Sequence, residues 1–521
     1  MTTDISNANS SDPLPRAALL TFLVFCLVAI GAGLRLVYFD RIEFGIDGVT
    51  AILTTRFWLS HGIPLYGQMS GASVMMPPGF IFLLYPLIRL TEAPLTVGLY
   101  IAAFNIAAIW LIYRLGVEIG RPRAGFWAGA FMAVHPWLII YSRKIWPQCV
   151  LPFFVILFLI VIAHCTRRPR SRLIFWCGPL ISLIWQIHYS AYSLLVFFLI
   201  WFAVSALKRG LRWPWALGGF GAGFLIFFPH FYFLIHSNFR SIRQVFMGGI
   251  GEPAPFFRNI AAIFKTFGDT SFAGGFGFFF QRSQFRTIPL ARTPVGEVHT
   301  WLAPLALGGT LVFLLLFVTG FFTRRRSGPS FIVWLGLLAV LPLLLYSLKG
   351  ILVPPWYFLA GLPAVIMLAG LGMDRISGIA ERKLRGAARC YLPILIGGFI
   401  CFTGGITWRT FLDHIKENGG TGGMYGLTYR IQRRAAARLV EERIRLDRID
   451  IRLTRARGFG ILYLYDYLNE RHEPGTGYSE NQARLINTYL FPDKTCRRDS
   501  AERSFTLPPP DPLRICISPV K

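Results

Sequence analysis

Acidic side chains are scarce in this chain of 521 residues, where 26 Asp and Glu stand against 53 Lys and Arg. Only 15% of residues are charged, against about 25% in ordinary soluble domains. The first 408 residues hold twelve of the acids, and none lies near the centre of an apolar run. That argues against a proton-coupled transporter, whose relay places carboxylates inside the membrane. Cysteine is also sparse, with eight residues and no C-x-x-C spacing, so no thiolate metal frame is present in the sequence. Cys26, Cys149, Cys165, Cys177, Cys390 and Cys401 fall in or beside apolar segments and read as small core residues. Cys496 and Cys516 stand in a polar tail and are open to a disulfide if that tail is extracytoplasmic. No repeat of fixed period occurs. Nor do the two halves carry matching Gly/Pro-broken spans, the mark of inverted-repeat transporters.

What is abundant is apolar. Hydrophobic residues make up 54% of the chain, with 47 Phe and 14 Trp, and the mean hydropathy is +0.51. This is the composition of a polytopic membrane protein with lipid-facing helices and interfacial aromatic belts. A span needs about 20 mainly apolar residues. Eleven candidates qualify: 17–38, 97–114, 124–141, 149–166, 173–188, 190–207, 214–235, 301–322, 331–348, 351–372 and 390–408. The first is longer than a signal-peptide core of about 7–15 residues and reads as an uncleaved anchor.

The net charge of +27 sits largely in loops. Arg121 and Arg123 follow the second span, Arg167, Arg168, Arg170 and Arg172 the fourth, and Lys208, Arg209 and Arg212 the sixth. Arg324 to Arg326 follow the eighth, and Arg375, Arg382, Lys383, Arg385 and Arg389 the tenth. Every second loop is basic, which predicts a cytoplasmic N-terminus and accounts for the charge without nucleic acid. The segment "PPGFIFLLYPLIRL" (77–90) is short and Pro-rich, and reads as an interfacial or re-entrant helix. The expected fold is therefore mainly α: a helical membrane module over 1–408, with external loops 39–96, 142–148 and 236–300. A small extracytoplasmic α/β domain follows over 409–521. In that tail "TYRIQRRAAARLVEERIRLDR" predicts a helix, "IDIRLT" and "LRICISPV" predict strands, and "FGILYLYDYLNER" fits either. "ENGGTGGMYG" (417–426) reads as a glycine-rich joint.

Seven carboxylates of the membrane module lie outside on this topology: Asp40, Glu43, Asp47, Glu92, Glu252, Asp269 and Glu297. Asp47 heads an amphipathic run over 47–60 whose stripe is Val49, Ile52, Leu53, Phe57 and Leu59, suited to the headgroup plane. It reads as a helix N-cap, as a catalytic carboxylate, or as both. Outside basic residues include Arg41, Arg56, Arg89, Arg143, Lys144, Arg282, Arg286, Arg292 and Lys349. They are headgroup anchors or, because a guanidinium fork matches phosphate oxygens, members of a phosphate clamp. "YSRKIWPQ" and "LKGILVPPWYF" place Arg143, Lys144, Lys349 and an aromatic pair in short external turns. His135, His188 and His299 lie near the same face and read first as structural histidines. Glu43, Gln148, His188, Arg292 and Tyr357 complete the candidate set.

The order of these motifs resembles the GT-C superfamily of integral-membrane glycosyltransferases. It is similar in style to the bacterial branch related to protein O-mannosyltransferases and the aminoarabinose transferase of lipid A. The resemblance rests on an anchor, an early loop Asp, "HGIPLYG", "MMPPGFIFLLYPL", "HPWLIIYSRKIWPQ", "LKGILVPPWYFLAGLPAVIMLAGLG" and "GGTGGMYGLTYRIQRRAAARLV". It implies a sugar donor on a polyprenyl phosphate, and transfer outside a bacterial cytoplasmic (inner) membrane, usually with inversion. The acceptor would be a glycan, lipid or protein. It implies Asp47 as general base or metal-proximal carboxylate, and Arg143, Lys144 or Lys349 on the lipid phosphate. A divalent cation, Mg or Mn, would then sit at Asp47. The chain departs from the pattern at Gly48, where the family often has Glu, and at Met76, where a Lys or His often precedes Pro-Pro. Gln148 stands near an expected acid, which weakens the case for a metal. A transporter or flippase of lipid-linked sugars and an O-antigen ligase or polymerase are the alternatives.

Overall fold

The computed structural model describes residues 14–70, 74–246, 256–281, 288–323, 331–348, 353–421, 423–441, 449–450, 459–472, 503–506 and 514–517. Helices dominate. In chain order they are α1 (Leu14–Leu36), α2 (Ile46–His61), α3 (Gly79–Ile88), α4 (Pro94–Glu118), α5 (Pro122–Val134), α6 (Pro136–Tyr141) and α7 (Leu151–Arg167). Then come α8 (Cys177–Ile187), α9 (Tyr192–Arg209), α10 (Trp213–His236), α11 (Arg240–Phe246), α12 (Phe256–Ser271) and α13 (Pro294–Val298). The last are α14 (Leu302–Phe321), α15 (Phe331–Leu348), α16 (Leu362–Lys383), α17 (Ala388–Asn418), α18 (Tyr429–Glu441) and α19 (Phe459–His472).

Among the described residues nine helical segments are long and apolar enough to cross a bilayer, two fewer than the sequence predicts. The expected third span, 124–141, breaks into α5 and α6 at His135. Pro136 has no N–H and pushes the residue before it out of the helical region; His135 is extended, at φ −64° and ψ 114°. The carbonyls freed at the end of α5 are met by Arg35 of α1, which donates to Met132 O at 3.0 Å and Ala133 O at 2.9 Å. Arg35 is fully buried inside an apolar helix, and both of its terminal nitrogens donate to backbone carbonyls. The expected fifth span, 173–188, begins as a 3-10 turn (Arg172–Trp176), leaving α8 only 11 residues. The tenth starts later than predicted, at Leu362, because Pro354 and Pro355 lead into a 3-10 turn (Pro355–Ala360). α3, with 10 residues, rises about 15 Å and is too short to cross.

Close crossings in the bundle are made by glycine. A Cβ on Gly320 of α14 would lie 2.1 Å from the Leu368 carbonyl of α16, and one on Gly372 of α16 would lie 2.0 Å from Leu316 O. α8 and α10 cross in the same way, at Gly178 and Gly219. Without a hydrophobic drive between helices in lipid, such backbone approach supplies the packing.

α17 runs for 31 residues, straight through position 408, so the fall in hydropathy there lies inside a helix rather than at a joint. It stops at Gly419, whose φ of 69° is the left-handed cap that glycine adopts without strain. The chain then folds back onto the first loop. Tyr429 N donates to Ile42 O at 2.8 Å, Arg430 pairs with Asp40 at 3.0 Å, and Tyr463 Oη donates to Glu92 O at 3.0 Å. The ambiguous segment is helix α19, which packs on α18 and α2. Strands Ile449–Asp450, Arg503–Thr506 and Arg514–Ile517 pair antiparallel, with the last in the middle. Cys496 lies outside the described residues, so the suggested disulfide with Cys516 does too.

Gly372→Val should force α14 and α16 apart and cost about 1–3 kcal/mol. The measurement is the melting temperature in detergent, which falls, while Gly398→Val, at a position with open space beside it, leaves it unchanged.

Candidate functional site

Asp47 lies in the first turn of α2. The cap itself is Gly45, with no side-chain bond, so the N-cap role read for Asp47 belongs two residues earlier in the chain. α2 does not lie alone at a surface. Gly48, Val49, Ala51, Ile52, Thr55 and Trp58 are buried, and the helix packs on α3 and α19. The Asp47 carboxylate is half-buried and accepts a hydrogen bond from the Trp146 side chain. Burial pushes it up to about 6, against the smaller lowering by that bond.

Trp146 belongs to the strap of residues 142–150 between α6 and α7, whose members each hold a different element. Arg143 is fully buried and crowns the end of α1, donating to Arg35 O at 2.7 Å, Val37 O at 2.8 Å and Tyr38 O at 2.6 Å. It also donates to the Tyr425 hydroxyl, and its guanidinium lies over the rings of Phe39 (5.6 Å) and Trp408 (5.3 Å). Burial lowers its pKa, and Tyr425 and Asp40 oppose that. Lys144 forms an ion pair with Glu43 and donates to Met424 O at 3.3 Å. Burial pulls its ammonium down to about 8, which leaves it charged at neutral pH. Its Nζ lies 5.1 Å from the Trp146 ring and 5.6 Å from Tyr141. A Cβ on Gly48 would sit 3.4 Å from Ile145 Cβ and 3.3 Å from Phe44, so that position is filled by neighbours.

Gln148 closes the strap. Its side-chain amide lies 2.8 Å from His188 Nε2, and His188 Nδ1 accepts from Ser190 N at 3.0 Å. Ser190 Oγ lies 2.8 Å from the same Nδ1. Tyr346 Oη donates to Ser190 O at 3.0 Å, and Tyr357 packs edge-on to His188 at 5.8 Å. Trp356 meets Trp146 at 5.0 Å and joins this polar cluster to Asp47.

The glycine-rich segment 417–426 docks here instead of hinging freely. Gly426 N donates to Glu43 Oε1 at 3.0 Å, Tyr425 Oη donates to Arg41 O at 2.8 Å, and Tyr425 N donates to Phe279 O at 3.1 Å. A Cβ on Gly423 would lie 2.4 Å from the Phe280 backbone, which is why glycine stands there.

The candidates Asp47, Glu43, Arg143, Lys144, Gln148, His188 and Tyr357 thus converge on one strap. Arg292 does not join them; it is exposed on a 3-10 turn (Leu290–Arg292). Lys349, Arg282 and Arg286 lie outside the described residues. Both terminal nitrogens of Arg143 are taken by carbonyls, whereas Lys144 is held by the Glu43 carboxylate and the Met424 carbonyl. No three His, Cys, Asp or Glu side chains cluster as metal ligands among the described residues. The Asp47 carboxylate meets an indole donor, and Gly48 next to it in the chain brings no second carboxylate, so residues 47 and 48 offer a divalent cation a single carboxylate. Trp146, Tyr425, Ser190 and Tyr346 were not read from the sequence. "KIWPQ" and "GGMYG" hold the first two, but nothing in either string marks which carboxylate or arginine they meet.

Arg143→Ala should leave three carbonyls unmet and lower stability by about 3 kcal/mol, seen as an earlier thermal melt. Arg143→Lys should recover little of it, because an ammonium lacks the planar fork.

No family model matches the chain, and no curated protein matches its sequence. Among solved structures, ArnT from Cupriavidus metallidurans bound to undecaprenyl phosphate superposes with a TM-score of 0.56 at 11% identity, over 98% of this chain and 99% of that one. The same protein in the apo state superposes with a TM-score of 0.56 at 12% identity, over 97% and 98%. At that identity the likeness is one of architecture, and from end to end the chain has the fold of ArnT.

Proposed function

We propose that this protein is a glycosyltransferase that moves a sugar from a polyprenyl phosphate to an acceptor hydroxyl, with Asp47 as the general base. The observation that carries this reading is the setting of Asp47, a half-buried carboxylate with its pKa raised to about 6, beside the cationic strap. A base is most effective when its pKa lies near the working pH. The shared fold with a protein whose structure holds undecaprenyl phosphate supports the donor class.

In this mechanism Asp47 takes the proton of the acceptor hydroxyl. The oxygen attacks the anomeric carbon from the face opposite the phosphate, and the sugar–phosphate bond breaks with its electron pair on the leaving phosphate oxygen. The configuration inverts. Lys144 neutralises that oxygen by exchanging Glu43 for phosphate, while Trp146 orients the carboxylate. Arg143 acts only through the strap it anchors. The site end of the bundle faces outside the cytoplasmic membrane, the N-terminus is cytoplasmic, and residues 409–521 lie with the site. The basic loops that alternate with the site-side loops support that orientation.

Asp47→Asn should reduce transfer from a polyprenyl-phosphate sugar on the order of 10²–10⁴-fold. Wild-type kcat/KM should rise with pH through about 6 and then level off. Stability runs the other way. A carboxyl whose pKa is raised on folding favours the folded state at low pH, and that contribution is lost as pH rises from about 4 to about 6. Asp47→Asn should therefore melt above wild type at pH 8 and with it at pH 4. Full activity in this variant sinks the assignment of the base, and movement of an intact lipid-linked sugar by the purified protein sinks the enzyme reading. An alkaline phosphatase reporter fused after Asn418 should be active; an inactive but well-expressed fusion overturns the orientation.

A further inference from the structure

At the far end of α7 from Gln148, roughly 30 Å away along the segment Pro147–Arg167, the chain forms a second site with no role in the proposed reaction. His164, Arg168, Pro169, Arg170 and Ser171 line an open depression of about 620 Å³. The neighbouring cations are mostly engaged by protein. Arg167 donates to Glu118 O, Arg121 pairs with Asp374 at 3.4 Å, Arg123 pairs with Glu381 at 2.6 Å, and Arg375 donates to Phe322 O. Arg172 stacks on Trp215 at 5.4 Å. Arg168 and Arg170 differ: both are exposed, and neither side chain has a hydrogen bond or ion pair to a described residue. Glu118 lies 3.1 Å from His164 Nδ1, and neither Arg168 nor Arg170 pairs with it.

The surroundings are those of a membrane interface. Trp176 (51% exposed), Trp213 (47%) and Trp215 (37%) form a belt beside the depression, and Leu173 (40%) is exposed next to it. Aromatic residues of this kind sit at headgroup level, with lipid tails on one side and water on the other. Two guanidiniums at that depth have forks matched to a phosphodiester, and the apolar rim suits acyl chains. We propose that the depression formed by His164, Arg168, Arg170 and Ser171 binds the headgroup of an anionic phospholipid. The two guanidiniums grip the phosphate, and the chains run down the face by Leu173 and Trp176. An uncharged or zwitterionic headgroup lacks the net charge that leaves Arg168 and Arg170 compensated.

The test is native mass spectrometry of the full-length protein, released from nanodiscs of mixed phosphatidylglycerol, cardiolipin and phosphatidylethanolamine. The wild type should retain anionic lipid, and the double variant Arg168→Gln/Arg170→Gln should retain at least fivefold less, with phosphatidylethanolamine unchanged. The control Arg382→Gln/Lys383→Gln removes the same charge from the end of α16 and should retain as much anionic lipid as wild type. Equal retention by the depression variant overturns the proposal. So does equal loss in the control, which would mean diffuse attraction to a basic face. Displacement of the bound lipid by millimolar inorganic phosphate would also overturn it, since the depression would then be a site for free phosphate. Circular dichroism melting confirms that both variants fold.

Discussion

The guanidinium of Arg143 on the last carbonyls of α1 is the contact on which the rest of the site depends. α1 ends at Leu36, and the carbonyls of Arg35, Val37 and Tyr38 at that end all accept from Arg143, although the side chains of Leu36, Val37 and Tyr38 are exposed. An arginine supplied from 108 residues further along closes that end, and so fixes the strap that carries it. Once the strap is fixed, Lys144 must face Glu43, Trp146 must face Asp47, and Gln148 must face His188. One backbone position thus sets the place of three side chains on three other elements. Arg35 does the same for a neighbouring helix, where it closes the end of α5. The two buried arginines are therefore used as hydrogen-bond donors to backbone.

Low charge density gives each remaining ion a large role. Lys144 and Glu43 are mostly shielded, with 11% and 15% of their side chains exposed. A pair held that far from water is unstable if either member is left alone, so the glycine-rich segment that bonds Glu43 through Gly426 also guards the pair. In the proposed reaction this is useful. A lipid phosphate offers Lys144 the same negative charge, and Glu43 keeps its hydrogen bond from Gly426 N when the ammonium moves to the phosphate. Asp47 is tuned differently, because its nearest partner is a neutral indole and burial raises its pKa instead of suppressing it.

Glycine does two jobs that composition does not separate. In α14 and α16 it lets helices touch through their backbones. In 417–426 it lets a polar segment lie against Phe280 and Glu43. Neither use gives the chain a swinging joint, and α17 runs past the apparent boundary at 408 for the same reason. Its amphipathic last turns, with Phe411, Leu412 and Ile415 buried, still have a core to pack on.

Hydropathy alone determined the membrane bundle, since any uninterrupted run of some twenty apolar residues must bond its own backbone as helix in lipid. It also marked α3 as too short, and the motif order singled out Asp47 and the "SRKIWPQ" strap. Two expected spans came out broken or short because a single proline or a 3-10 turn is decided by neighbouring carbonyls that hydropathy does not register. The sequence also left Arg143 open between a phosphate and a structural partner, because a residue's charge does not say whether its nearest acceptor is a lipid or a helix end. The pairings of Arg143 with α1, Trp146 with Asp47 and Gly426 with Glu43 join positions about 100 to 380 apart in the chain. Contacts of that range leave no local periodicity, so only the packing of the whole bundle decided them.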